Sequence, residues 1–352
     1  MSLKIISKHA FPAWVDRLVE KYRVIGPQST QNQIMFDPIL SGDEIVMDYS
    51  TTILPPKKVL LPPHENLFHF GQDGGEIKPL LDEHPTVIIG IHTCDMHAIT
   101  LLDKVFTHGF PDQHYLTRRE HTTLVSIECL KPCSDQAFCK DLDTHIVPEQ
   151  FDLHLTDIGD AYAASIGSEK GTRLLMLAEM RETTSQDYDR LSKTISEKWG
   201  RFPYRLEAGV MELPSLFSTT YRNVQWEQLG DRCLGCGSCT LVCPTCYCFD
   251  IRDEVDFTLK SGERYRFWDS CQLNKFALVA GGHDFRSSRG ERLRHRFLHK
   301  FKYQVNAYET VGCVGCGRCA QTCLVGISPV EIINGIYKQY TASQKQHKKV
   351  LV

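Results

Sequence analysis

"CLGCGSCTLVCPTCYC", residues 233–248, sets six cysteines into sixteen positions, and "CVGCGRCAQTCL", residues 313–324, repeats its opening pattern further along the chain. Both follow the form C-x2-C-G-x-C-x3-C. Three cysteines on one tight loop can turn their sulfurs onto three irons, while the fourth opens the next segment and points away. This is the ligand spacing of a [4Fe–4S] cluster, and in two-cluster ferredoxins the fourth cysteine serves the other cluster. The expected sets are therefore Cys233, Cys236, Cys239 and Cys323 for one cluster, and Cys313, Cys316, Cys319 and Cys243 for the other. Gly235, Gly237, Gly315 and Gly317 let backbone amides approach the negative cluster sulfides.

Zinc is the competing cargo, but structural zinc uses paired C-x2-C knuckles with a longer spacer. A radical S-adenosylmethionine loop, C-x3-C-x2-C, is not found. Leu324 stands where the first motif has Pro244, a change confined to the following turn. The long separation of the motifs predicts a helical ferredoxin module, with an insertion between them.

Outward from the motifs, seven more cysteines remain among the fifteen in the chain. Cys94, Cys129, Cys133 and Cys139 lie in the N-terminal half, and the expectation is a third [4Fe–4S] cluster there, with Asp95 and His97 as other possible ligands. Buried inert thiols or zinc are the alternatives. Cys246, Cys248 and Cys271 are one thiol short of a four-cysteine site. Packing near a cluster is the expected role, with a further metal site or reactive thiol as the sharper alternative.

The N-terminal half reads as α/β. "FPAWVDRLVEKY" (11–22) has helical spacing, "ILPPKKVLLPP" (53–63) reads as extended, and "PTVIIGIHTCDMHAITLLDKVF" (85–106) reads as strand, turn and helix. "TTLVSIEC" (122–129) and "TRLLMLAEM" (172–180) are read as two more strands. Cys94 and Cys129 follow strand ends, where open α/β sheets build sites, so neighbouring strands would bring the N-terminal cysteines together. The expected architecture is an α/β domain over 1–225 and a mainly α-helical dicluster ferredoxin-like domain over 226–340. A tail over 341–352 is expected to be frayed or bound by a partner. The basic stretch "RSSRGERLRHRFLHKFK" (286–302) carries an apolar stripe at Leu293, Phe297 and Phe301. Its Arg286, Arg289, Arg292, Arg294, Arg296, Lys300 and Lys302 suit either the neighbourhood of an anionic cluster or a solvated face that docks an acidic partner.

A net charge of −3 gives no expectation of a nucleic-acid partner. No apolar run has the length of a membrane helix and no secretory signal is read, so the expected compartment is the cytoplasm, where grouped cysteines bind metal rather than form disulfides. There is no G-x-G-x-x-G after a strand and no P-loop; "QDGGE" (72–76) and "VAGGH" (279–283) are not equivalents. No flavin or nucleotide is expected in this chain, and no catalytic residue is assigned.

"RCLGCGSCTLVCPTCYCFDI", "WDSCQLNKFALVAGGHDFR", "RLRHRFLHKF" and "GCVGCGRC" resemble the β subunit of soluble nickel–iron hydrogenases (sulfhydrogenases) and the A subunit of anaerobic sulfite reductase. "CDMHAITLLD", "TRRE", "DLHLTDIGDAY" and "GSEKG" extend the resemblance through the N-terminal half, with His92-Thr93 departing from the family's usual arginine-proline pair. The resemblance implies a non-catalytic iron–sulfur subunit of an oxidoreductase complex. It would relay single electrons between a flavin- and NAD(P)H-binding subunit and a catalytic subunit, a hydrogenase first and a sulfite reductase next. The alternative is an iron–sulfur enzyme with its own substrate site at the N-terminal cysteines.

Overall fold

A computed structural model describes residues 3–71 and 77–350, with side chains to residue 344. The "QDGGE" stretch and residues 351–352 lie outside the described residues. Among them the strands are β1 (Leu3–Ser7), β2 (Arg23–Thr30), β3 (Gln33–Pro38), β4 (His64–Gly71), β5 (Thr86–His92), β6 (Thr122–Ile127), β7 (Leu153–Asp157), β8 (Ala161–Ile166), β9 (Met180–Glu182), β10 (Phe249–Val255) and β11 (Ser261–Trp268). The larger sheet has the order β3-β2-β5-β6-β7-β8-β1-β9. Its centre, β2, β5, β6 and β7, is parallel, and its flanks are antiparallel.

β5 and β6 are buried along their whole lengths, which suits central parallel strands covered on both faces. The expected helix near the N-terminus runs over Phe11–Val19 and buries Phe11, Trp14, Val15 and Leu18. That spacing gives one apolar stripe, each buried side chain contributing about 1.5–3 kcal/mol. After β5 the chain turns directly into a helix over Thr93–Thr107.

Two sequence expectations are corrected. Residues 172–180 are not a strand: a helix runs over Glu169–Leu175, with the short β9 after it. The Ser168 hydroxyl accepts from the Gly171 amide, and this cap starts the helix before the apolar run that was read as a strand. The proline-bounded stretch 53–63 is not extended throughout, because Lys57–Leu60 forms a helical turn with Pro56 at its N-terminus, a position proline tolerates.

The insertion between the repeated motifs is only partly helical. It begins with the β10–β11 hairpin, and β11 pairs with β4 from the N-terminal half to complete a smaller sheet. Glu65 on β4 takes Arg118 and Arg266 together in a buried ion-pair group. Beyond the hairpin, a helix over Arg289–Leu298 buries Leu293 and Phe297, and Phe301 continues the same apolar face. That face packs with Phe138, Leu142, Leu213, Phe217 and the helix that starts at Pro329. The last helix runs through Val350, so the backbone of 341–350 is helical.

Candidate metal centres

The two repeated motifs fold alike. Gly235 and Gly237 have φ of 65° and 81°, and Gly315 and Gly317 have φ of 63° and 77°. These left-handed positions curl each loop, and each loop runs into one helical turn, Ser238–Leu241 or Arg318–Gln321. Cys233, Cys236, Cys239 and Cys323 line one small cavity, together with Cys319. Cys313 and Cys316 lie within electrostatic reach of Cys319 and of Cys243, the last cysteine of the other motif. Burial pushes the Cys239 and Cys316 thiols up to about 12 and Cys313 to about 11. Such thiols ionise when a metal takes the proton's place.

The basic stretch divides in a way its sequence does not reveal. Arg292, Arg296 and Lys300 are buried, whereas Arg289 is exposed and Arg294 half-buried. Arg296 donates to the Cys239 carbonyl at 3.4 Å, and its Nε has no hydrogen-bond partner among the described residues. Lys300 donates to Thr245 Oγ1 and Gly312 O, both at 2.8 Å. A third buried cation, Lys57, arrives from the N-terminal half and donates to the Cys246 carbonyl at 2.5 Å. No carboxylate contacts these three among the described residues. Burial opposes the charge on Arg296 and Lys300, but the cysteines around them outweigh it and raise both. On Lys57 burial prevails and lowers it.

In the N-terminal half, β5 and β6 are parallel neighbours, and Cys94 and Cys129 follow their carboxyl ends. Thr93 Oγ1 lies 3.5 Å from Cys129 Sγ, and His92 Nδ1 lies 3.5 Å from Cys133 Sγ. A hydrogen bond from the Cys133 thiol is the main cause holding Cys129 down at about 5, against its burial. Cys139 packs with Cys129 and Phe202, and burial raises it to about 12. Cys94 packs against Val314 and Cys316 of the second motif. The other possible ligands are engaged elsewhere. Asp95 makes a bidentate pair with Arg318, 2.7 Å at each oxygen, and His97 Nε2 sits 2.8 Å from the Ile146 carbonyl.

The surplus cysteines also gather. The Cys246 thiol is hydrogen-bonded to that of Cys243, and the Cys248 thiol to that of Cys271. The β10–β11 register pairs Phe249 with Trp268, and Asp269 N donates to Cys248 O at 3.0 Å, which brings Cys271 beside Cys248. Among the described residues no three His, Cys, Asp or Glu side chains converge as they would around a single metal ion.

A family model for the 4Fe-4S dicluster domain matches residues 232–327. Over 330 residues the chain is 33% identical to sulfhydrogenase 2 subunit beta of Pyrococcus furiosus, covering 93% of this chain and 96% of that protein. The chain belongs to the sulfhydrogenase β-subunit family. No solved structure matches it.

For a sulfhydrogenase β-subunit relative, the buried groups fit iron–sulfur cargo. Thiols that gather without three converging on one ion, beside buried cations Lys57, Arg296 and Lys300 that touch no carboxylate, suit a larger anionic group among them. Sequence reading missed His92, Lys57 and the Arg318–Asp95 pair. Arg318 sits inside the "CGRC" motif, but nothing local marks its partner, which is 223 residues away. Among the described residues no helix is long and apolar enough to cross a membrane.

Proposed function

We propose that this chain is the iron–sulfur electron relay of a multi-subunit oxidoreductase, linking a flavin- and NAD(P)H-binding subunit to a hydrogenase-type catalytic subunit. Cys233, Cys236, Cys239 and Cys323 hold one [4Fe–4S] cluster, and Cys313, Cys316, Cys319 and Cys243 hold a second. Cys94, Cys129, Cys133 and Cys139 hold a third. When bound, such clusters accept and give up single electrons. Family membership and the dicluster domain support the redox role.

The observation that carries the reading is the shared wall between the N-terminal cysteines and the second motif. Cys94 packs on Val314 and Cys316, Phe138 N donates to Gly315 O at 2.7 Å, and Asp95 binds Arg318. The chain's own work is to bury Cys94, Cys129, Cys139 and Cys243 and to place Arg296 and Lys300 where added negative charge is favoured. The β4–β11 sheet and the shared core Phe138–Phe301 fix the two halves of this reading, 1–225 and 226–340, against each other.

The test is iron and acid-labile sulfide in protein purified without air. Cys129→Ser/Cys133→Ser is expected to lose about four of each per chain. Unchanged content removes the third cluster and leaves the N-terminal half as a docking platform.

A second reading has its own support. A cavity of about 260 Å³ opens beside His92, Cys129 and Cys133, with Lys8, Lys131 and Arg201 in its wall. That is a setting for an anionic substrate of the chain itself. Addition of sulfite or polysulfide to the isolated reduced chain would then change its spectrum; a spectrum that stays still in both dismisses this reading.

A further inference from the structure

We propose that Cys246, Cys248 and Cys271 hold an additional iron–sulfur cluster, separate from those of the repeated motifs and of the N-terminal group. The inference rests on the reading of the chain as an iron–sulfur carrier, and its test is chosen to fail separately from that reading.

The three cysteines line one cavity of about 360 Å³, whose wall also carries His295, His299 and Lys300. They come from two stretches of chain. Cys246 and Cys248 follow the first motif, and Cys271 follows β11. The antiparallel hairpin brings the two stretches together, so the convergence is built by the sheet rather than by chance proximity in sequence. Thiols that served only as apolar filler would close such a space; these border an open one.

Charge at the cavity is consistent with an anionic occupant. Arg296 and Lys300 reach Cys239, Cys243 and Cys313 of the motifs as well as Cys246. Lys57 reaches Cys246 most strongly, then Cys243 of the first motif and, more weakly, Cys248. It is 3% exposed, its Nζ lies 4.3 Å from the centre of the Trp268 ring, and its hydrogen bond is to a backbone carbonyl. An ammonium group buried this deeply needs an anion beside it. A cluster on Cys246 and Cys248 would add its charge to that of the motif cluster at Cys243, with Cys246 as the cysteine acting most strongly on Lys57.

The size of the cargo follows from the spacing. The three thiols do not converge on a single-ion point, and neither do those of the repeated motifs, where the family places 4Fe-4S clusters. Three cysteines leave one iron without a thiolate. The same cavity wall holds two imidazoles, His295 and His299, so a nitrogen or a small exogenous molecule would complete the cluster rather than a fourth sulfur.

The experiment uses full-length protein matured in cells and purified without air. Cys246→Ser, Cys248→Ser and Cys271→Ser are each expected to lose about four irons and four sulfides per chain, with the electron paramagnetic resonance signals of the motif clusters kept. Wild-type iron and sulfide in all three variants overturns the proposal, as does loss of about one iron with no sulfide. The count in the Cys129→Ser/Cys133→Ser protein guards against misfolding of those variants. It retains about twelve irons if this site is filled and about eight if the motifs alone are. Failure of the N-terminal cluster shows as no iron lost from that double variant, whatever Cys271→Ser does.

Discussion

At the first repeated motif Cys236 is exposed, and Leu234 and Leu324 stand out beside it at 55% and 82% exposure. At the second, Gly315 and Gly317 are pressed against the backbone of 136–139, and Arg318 is sealed over Asp95. The cysteine spacing is the same in both. Spacing therefore encodes what is bound, while the residues between the cysteines encode where it sits. Ser238 in "CGSC" leaves the first loop near the surface; Arg318 at the matching position in "CGRC" anchors the second loop in the interior.

The contrast breaks most visibly at those matched positions. Arg318→Met leaves Asp95 buried without its cation and is expected to cost about 3–5 kcal/mol of stability. Ser238→Ala is expected to stay within about 0.5 kcal/mol. Chemical denaturation of the two holoproteins measures both, and equal effects would remove the distinction between surface and interior loops. Next come the glycines. A Cβ on Gly317 would lie 2.6 Å from the Gln136 backbone, whereas one on Gly237 would meet the Ser270 side chain at 3.0 Å. Both alanine variants carry the left-handed penalty of about 1–2 kcal/mol, and Gly317→Ala is expected to cost more because backbone cannot move aside as a side chain can. Similar melting temperatures would contradict the close fit of the second loop.

The smallest expected effect is on potential. Lys300 is buried beside Cys243, Cys246 and Cys313, while Lys302 is half-buried. Lys300→Met removes a cation that favours the reduced form, so redox titration is expected to show a shift to more negative potential of the order of 60 mV, one tenfold change in a one-electron couple. Lys302→Met is the control and is expected to shift little.

What the sequence made legible was local. The motifs could be read because their ligands lie within a few residues of each other, and β5 and β6 because buried parallel strands are short apolar runs. The segment 172–180 misled because "LLML" suits a strand as well as a helix, and the Ser168 cap decided the matter. The basic stretch was visible as charge, but which cations face thiols depends on the pitch of a helix packed on its Phe297 side. Lys57 was invisible as a site residue, and Asp95 was read as a possible ligand rather than as the partner of Arg318, because these partners arrive only through tertiary folding, 189 and 223 residues away in sequence.

The pairing of β4 with β11 also sets an order in time. As the chain leaves the ribosome, β4 is made long before β11, so it waits as an open edge, with Glu65 lacking Arg266. Cys243 likewise emerges well before Cys313 and Cys316, which it meets in the folded protein. A ribosome-bound fragment ending at the hairpin has the first motif complete in sequence but not the loop that closes over it. On the proposed ligand sets, neither motif cluster has its four cysteines until the second motif has been made, however early the first cysteines appear.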